Sequence, residues 1–437
     1  MWKRFVNSTF VRNSAVLMSG NILGQAISLL FHLLLCRIYS PDDFGAFAVF
    51  MSYAGFMTII ATGGYHYAIL LPDDDRTLGN VMKLCACCVA TTTILSLLLV
   101  LPAEIFLLSG YYDKGTADMF WLLPVYVASY GVWKIMEYWH VRQSNYRLLS
   151  AYQLSQNLAS SVIKSALWQM KSGIGLALGS VLGQITATVL CAAKNKKPLQ
   201  ILLSPYKSYA LRKAARRYAS FPRFSLARDG INYIASNSVY LVLAPFFGTY
   251  ELGLFMMAAT LSLRPLVLVN NAIGHNIMQS IADKLKTGQA ILPAIKKYLA
   301  TSTAVMLPSF TVLFFIVKPL CVLLLGQEWE MSGTYLQYML PWLCALAIFS
   351  PMANIPDLLQ KQKNDMFFEI TSIIIRIAML AIGIAAGSFN VAITAYCAGA
   401  LTVTTLRGLW YVKIAAYYDK KRLAIDSNKT KEKQWTI

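Results

Sequence analysis

The sequence predicts an all-α integral membrane protein of about twelve transmembrane helices, in two six-helix pseudo-repeated lobes around a central cavity. Three observations lead there. Of 437 residues 57% are hydrophobic and 14% charged, where a soluble chain of this length carries about 25% charged residues. The charges are crowded into short segments between apolar runs of about twenty residues, the length at which a helix crosses a bilayer. Those runs form two sets of six on either side of the longest polar segment. Their length excludes a barrel, whose strands are short and alternate, and the composition excludes most soluble enzymes.

In order, the predicted spans cover residues 14–35, 44–71, 81–108, 119–138, 151–170, 174–193, 226–247, 252–281, 298–317, 335–355, 370–386 and 391–414. Lys3, Arg4 and Arg12 before the first give it the look of a signal peptide, but its length and the lack of a small-residue cleavage site make it a retained span. The second ends on Gly63-Gly64-Tyr65-His66-Tyr67. His66 there is either a neutral packed histidine or a proton-sensing or sugar-contacting group beside two tyrosines. In the sixth, Gly175, Gly179 and Gly183 recur at four-residue spacing and lay a groove for a neighbouring helix. Pro124, Pro245, Pro265, Pro308, Pro341 and Pro351 are expected inside spans, where each removes a backbone hydrogen bond and kinks its helix. The eight cysteines form no CxxC and read as apolar helix residues, and Asp73 to Asp75 as a solvated turn. No Walker loop, nucleophile motif or metal cluster is present in the sequence.

Orientation follows from the basic residues. With the N-terminus in the cytoplasm, 30 of the 39 Lys and Arg fall on the cytoplasmic side, four on the other and five within spans. That asymmetry supports an even number of spans and two cytoplasmic termini. The expected organisation is an N-terminal lobe (1–193), a basic cytoplasmic linker (194–225), a C-terminal lobe (226–414) and a basic cytoplasmic tail (415–437). From Lys194 to Arg228 there are ten basic residues and no acid. The segment either obeys the positive-inside rule and touches anionic headgroups or recruits an anionic cargo. The formal net charge of +19, in a membrane context, points to anionic membrane lipid or anionic cargo as partner and not to nucleic acid.

An internal repeat links the lobes. Asp43-Phe44-Gly45-Ala46-Phe47 before span two returns as Glu251-Leu252-Gly253-Leu254-Phe255 before span eight, a shift of 208 residues. Leu123-Pro124 matches Leu340-Pro341, and Arg142-Gln-Ser-Asn145 matches Lys361-Gln-Lys-Asn364. Six intervening spans make these parallel repeats, related by an axis along the membrane normal.

Ionisable residues inside spans are costly and mark the candidate site. Lys134 and Glu137 stand at i, i+3 in span four, close enough to pair, with His140 one turn on. Lys164, Arg264 before Pro265, Arg376 and Arg407 complete five deep cations, against Glu137 and, nearer the interfaces, Glu104 and Glu369. Arg228 and Asp229 open span seven. A net positive interior attracts phosphate or pyrophosphate, and arginine offers it a two-pronged donor. Each cation singly is open to snorkelling or structural pairing, Lys164 and Arg407 above all. The favoured cargo is an anionic amphiphile, held by Arg264, Lys134, Arg376, Lys164, Arg407 and Arg228.

Arg37-Ile-Tyr-Ser-Pro41-Asp-Asp-Phe44-Gly45, Ala68-Ile-Leu-Leu-Pro72, Tyr218-Ala-Ser-Phe221-Pro222, Phe247-Gly248-Thr-Tyr-Glu-Leu-Gly253, Arg264-Pro265 and Leu325-Gly326-Gln-Glu-Trp329 resemble the bacterial polysaccharide repeat-unit flippases, the O-antigen or Wzx-type translocases of the multidrug/oligosaccharidyl-lipid/polysaccharide exporter superfamily. The resemblance covers essentially the whole chain. It implies a fold similar to multidrug and toxic-compound extruders, and a non-enzymatic flippase of the bacterial inner membrane. That flippase would move an oligosaccharide on polyprenyl pyrophosphate from the cytoplasmic to the periplasmic leaflet by alternating access, for O-antigen, capsule or exopolysaccharide. It further implies a polysaccharide polymerase and chain-length machinery as partners, and no cofactor beyond a proton or sodium gradient, for which Glu137, Asp229 and His66 are the candidate carriers. Arg264 matches the family's pre-proline arginine. Where that branch commonly has an arginine and an acid before Ala-Ile-x-Leu-Pro, this chain has Gly64 and His66, so no charge pair carries over there. The rival expectation is a drug or metabolite cation antiporter of the same superfamily, whose interior would be acidic.

Overall fold

The computed structural model describes residues 24–102, 114–170, 173–194, 196–205 and 208–434, and no strand occurs among them. The chain runs through α1 (Gly24–Leu35), α2 (Pro41–Ile60), α3 (Asp75–Pro102), α4 (Leu123–Arg142), α5 (Tyr146–Ala166) and α6 (Ile174–Lys194). It continues through α7 (Leu226–Lys286), α8 (Leu292–Leu325), α9 (Glu330–Phe349), α10 (Gln362–Ala385) and α11 (Phe389–Gln434). Among the described residues nine helical segments are long and apolar enough to cross a membrane. The 61-residue α7 breaks at Gly248, whose φ of 78° is open to glycine at no steric cost, so it carries spans seven and eight. With α5, polar along one face, and α1, each predicted span coincides with a helix. Residues 14–23 of span one, and Lys3, Arg4, Arg12, Glu104 and Lys171, lie outside the described residues.

Local chemistry sets the helix ends. Ser40 caps α2 in a reciprocal box with Asp43, and Pro41 occupies the first turn, where its missing N–H is no loss. Asp42 and Asp43 add negative charge at the positive end of the helix dipole. Two prolines depart from expectation. Pro124 begins α4, after a 3-10 turn at Phe120–Leu122, and Pro351 sits in a 3-10 turn after α9. Both occupy helix ends, where no backbone bond is lost, whereas Pro308 and Pro341 lie inside α8 and α9.

The chain divides into two compact units, Met1–Met256 and Met257–Ile437. In the first, Phe44, Phe50, Ile135, Met136 and Leu176 are fully buried. The glycine groove of α6 receives Ser160 and Lys164 of α5. The basic segment after α6 is largely helical: Ser208–Arg217 buries Leu211 and Ala214 against the α3 region and turns Arg212, Lys213, Arg216 and Arg217 outward.

The repeated motif meets itself here. A Cβ on Gly45 would overlap the Thr249 carbonyl, and one on Gly253 would overlap the Pro41 carbonyl. Pro41 and Thr249 are themselves 208 residues apart in sequence, so each motif touches the other's residue four before its glycine. That is the reciprocity of a two-fold contact. Thr249 Oγ1 donates to Asp42 at 2.9 Å and Tyr233 donates to Met51 and Ser52 at 3.0 Å, fastening the first part of α7 to α2.

In the second unit Trp329, Tyr335, Met339 and Ala347 form the buried centre. Asp419 of α11 accepts from the Ile291 and Leu292 amides at 3.1 and 2.8 Å, satisfying donors that the start of α8 would otherwise leave open.

Candidate functional site

Two polar clusters lie among the apolar helices, one in each unit. In the first, a 3-10 turn at Tyr65–Leu70 carries His66 and Tyr67, α4 carries Lys134, Glu137 and Tyr138, and the junction into α7 carries Phe221, Arg228 and Asp229. Lys134 Nζ pairs with Glu137 at 2.8 Å, as their one-turn spacing predicts, and stands 5.3 Å from the centre of the Tyr138 ring. Tyr67 donates to Asp229 at 2.8 Å, and Arg228 holds the same carboxylate at 3.3 Å. His66 is buried, with Thr62 Oγ1 at 2.6 Å from its Nδ1 and ring contacts to Tyr67 and Tyr138 at 4.2 and 4.8 Å. Phe221 stacks on Tyr67. Five residues singled out from sequence, His66, Lys134, Glu137, Arg228 and Asp229, therefore meet in one aromatic patch. Such a patch offers faces for sugar rings and charged groups for their hydroxyls.

The second cluster spans α10 and α11. Arg407 grips Asp365 two-pronged at 2.8 and 2.6 Å and Glu369 at 2.5 Å. Tyr411 donates to Asp365 at 3.4 Å. Arg376, further along α10, lies 5.4 Å from the Trp342 ring centre and 5.8 Å from that of Tyr396. Its Nε is buried with no hydrogen-bond partner in the protein. Arg376 and Arg407 both line a cavity of about 220 Å³ with Ser350, Ser372, Thr404 and Glu369, whose carboxylate is held by Arg407. A buried guanidinium donor without an acceptor is costly, and an anionic oxygen in that cavity satisfies it.

The remaining candidates stand elsewhere. Lys164 lies 4.7 Å from the centre of the Phe47 ring, and Arg264 is exposed on α7 beside Pro265. His140 is buried against Cys191 at 3.2 Å. Sequence reasoning missed Asp365, Tyr138, Trp342, Tyr396 and Tyr411. Asp365 follows Asn364 and reads as loop. Its i, i+4 spacing to Glu369 on one helix face was the available signal. With Asp365 included, the cation surplus is smaller than the sequence suggests.

A family model described as polysaccharide biosynthesis protein matches residues 34–333. Among solved structures, one described as lipid II flippase MurJ in an inward closed conformation superposes with a TM-score of 0.70 at 13% identity, covering 91% of this chain and 87% of that one. Another, an inward-facing multidrug resistance MATE family transporter of the MOP superfamily, gives 0.56 at 13% identity over 91% and 96%. No curated protein matches the chain significantly in sequence. At these identities the likeness is one of fold, and it is the extruder-like fold that the sequence resemblance implies. With nine span-length apolar segments among the described residues, the chain is a multi-pass membrane protein.

Proposed function

The chain belongs to the polysaccharide biosynthesis protein family, and on that premise we propose that it is a non-enzymatic flippase of the bacterial inner membrane with both termini cytoplasmic. It moves a polyprenyl-pyrophosphate-linked oligosaccharide repeat unit to the periplasmic leaflet by alternating access, for O-antigen, capsule or exopolysaccharide. The observation that carries this reading is Arg376: a guanidinium among apolar helices, its Nε without a protein acceptor, on the wall of a cavity. A pyrophosphate supplies that acceptor, and the polyprenyl tail stays in lipid, which avoids its transfer cost. The match in fold to a protein described as a lipid II flippase supports a lipid-linked cargo. A proton or sodium gradient drives the cycle through His66, Asp229 and Glu137, which lie in one cluster. A cation antiporter needs an acid to hold its organic cation, and Asp365 and Glu369 near Arg376 are both held by Arg407.

Mass spectrometry of lipids copurifying with wild type and with Arg376→Gln tests this. Wild type should carry a polyprenyl pyrophosphate oligosaccharide, and the variant about tenfold less, the scale of one lost charge-assisted hydrogen bond. If wild type carries none and an added organic cation binds saturably, the antiporter reading replaces this one.

A further inference from the structure

The second unit holds a larger cavity, of about 600 Å³, where the start of α10 meets α11. Its lining carries four cations, Lys361, Lys413, Lys421 and Arg422, over Trp410 and Tyr418, and no carboxylate is among the lining residues. Lys413, Tyr417 and Lys421 recur every four residues and so share one face of α11. Among the described acids nearby, Asp419 caps α8 and Asp365 and Glu369 are held by Arg407, while Asp357 is exposed in the turn before Lys361.

Depth follows from helix geometry. α11 begins at Phe389, and at 1.5 Å per residue Trp410 lies about 30 Å along it, one hydrocarbon thickness away. Trp410 therefore stands near the membrane boundary opposite Phe389, the level at which tryptophan and tyrosine collect, with Lys413 about 5 Å beyond it in the headgroup layer and Lys421 and Arg422 about 17 Å beyond, on its aqueous side. From Asn364 on the cavity wall, Phe367, Ile374 and Ile377 follow at spacings of three and seven along α10, and all three are exposed. An apolar stripe thus leads from the basic cavity into the hydrocarbon layer.

We propose that this cavity binds the phosphate headgroup of an anionic phospholipid of the cytoplasmic leaflet, its acyl chains lying along α10, at a site separate from the Arg376 cavity. The cytoplasmic placement rests on the basic-residue orientation given above. The cargo assignment is not needed. Basic pockets between transmembrane helices on this side take such headgroups, and the Trp410 and Tyr418 rings with Leu359 and Ile414 offer a floor for the glycerol region.

Native mass spectrometry of the full chain, titrated with phosphatidylglycerol and with phosphatidylcholine, tests it. Wild type should retain phosphatidylglycerol at least tenfold over phosphatidylcholine. The double variant Lys413→Gln/Lys421→Gln, which alters only exposed side chains, should lose that preference while keeping wild-type thermal stability and any copurifying lipid-linked oligosaccharide. Arg376→Gln should show the converse, with phosphatidylglycerol retained. Equal retention of both lipids by wild type, or an unchanged preference in the double variant, overturns the site. Loss of lipid-linked oligosaccharide instead of phosphatidylglycerol overturns it as well, by making the cavity part of the cargo path.

Discussion

The two units bury charge in different ways. In the N-terminal unit Lys134 and Glu137 pair within a single helix, one turn apart. In the C-terminal unit Arg407 of α11 reaches across to Asp365 and Glu369 of α10, 42 and 38 residues away in sequence. The first pair neutralises itself and fastens nothing to its neighbours. The second ties two helices together and leaves Arg376, on the same helix as its acids, as the cation with an open donor. A charge counted within a span is therefore not yet a charge available to cargo.

Removing the cation separates the two arrangements most strongly. Arg407→Ala strands two half-buried carboxylates between α10 and α11 and removes three charge-assisted hydrogen bonds, and should cost about 2–3 kcal/mol. Lys134→Ala strands one carboxylate on one helix and should cost about 1 kcal/mol. Thermal unfolding of both variants in one detergent reads the difference, and the contrast between units fails if the two midpoints fall equally.

The reciprocal glycines come next. Gly45→Ala and Gly253→Ala each force a methyl into the other motif's backbone, an overpacking of about 1–3 kcal/mol. Because both act on one contact, the double variant should lose clearly less than the sum of the singles. Additive losses in the same unfolding measurement would mean that the two glycines report separate contacts and that the repeat has no local two-fold.

These cases mark what the sequence made legible. Apolar run length is a property of each segment alone, so the spans and their order could be read directly, as could the Lys134–Glu137 pair, whose partners share a helix. The family resemblance added the extruder-like fold. Partners far apart in sequence left no such trace: Tyr67 with Asp229, or Arg407 with Asp365, meet only because separate helices place them together. Helix ends were misjudged for a related reason, since Pro124 and Pro351 look interior until the neighbouring 3-10 turns are known. Of the cations named from sequence, Arg264 is exposed on α7 beside Pro265, and the orphaned donor is on Arg376.

The smallest expected effect tests whether the two tyrosines that donate to cluster acids play equivalent parts. Tyr67 donates to Asp229 at 2.8 Å, and the Arg228 that shares this carboxylate is itself largely exposed, so Tyr67→Phe removes a principal partner and should cost about 1 kcal/mol. Tyr411 reaches Asp365 only at 3.4 Å, and that carboxylate already takes two short bonds from Arg407. Tyr411→Phe should therefore shift stability by less than about 0.5 kcal/mol. The order of the two unfolding midpoints is the result that matters. If Tyr411→Phe proves the more damaging, Arg407 does not satisfy Asp365 by itself, and the C-terminal cluster depends on its hydroxyl as the N-terminal one does.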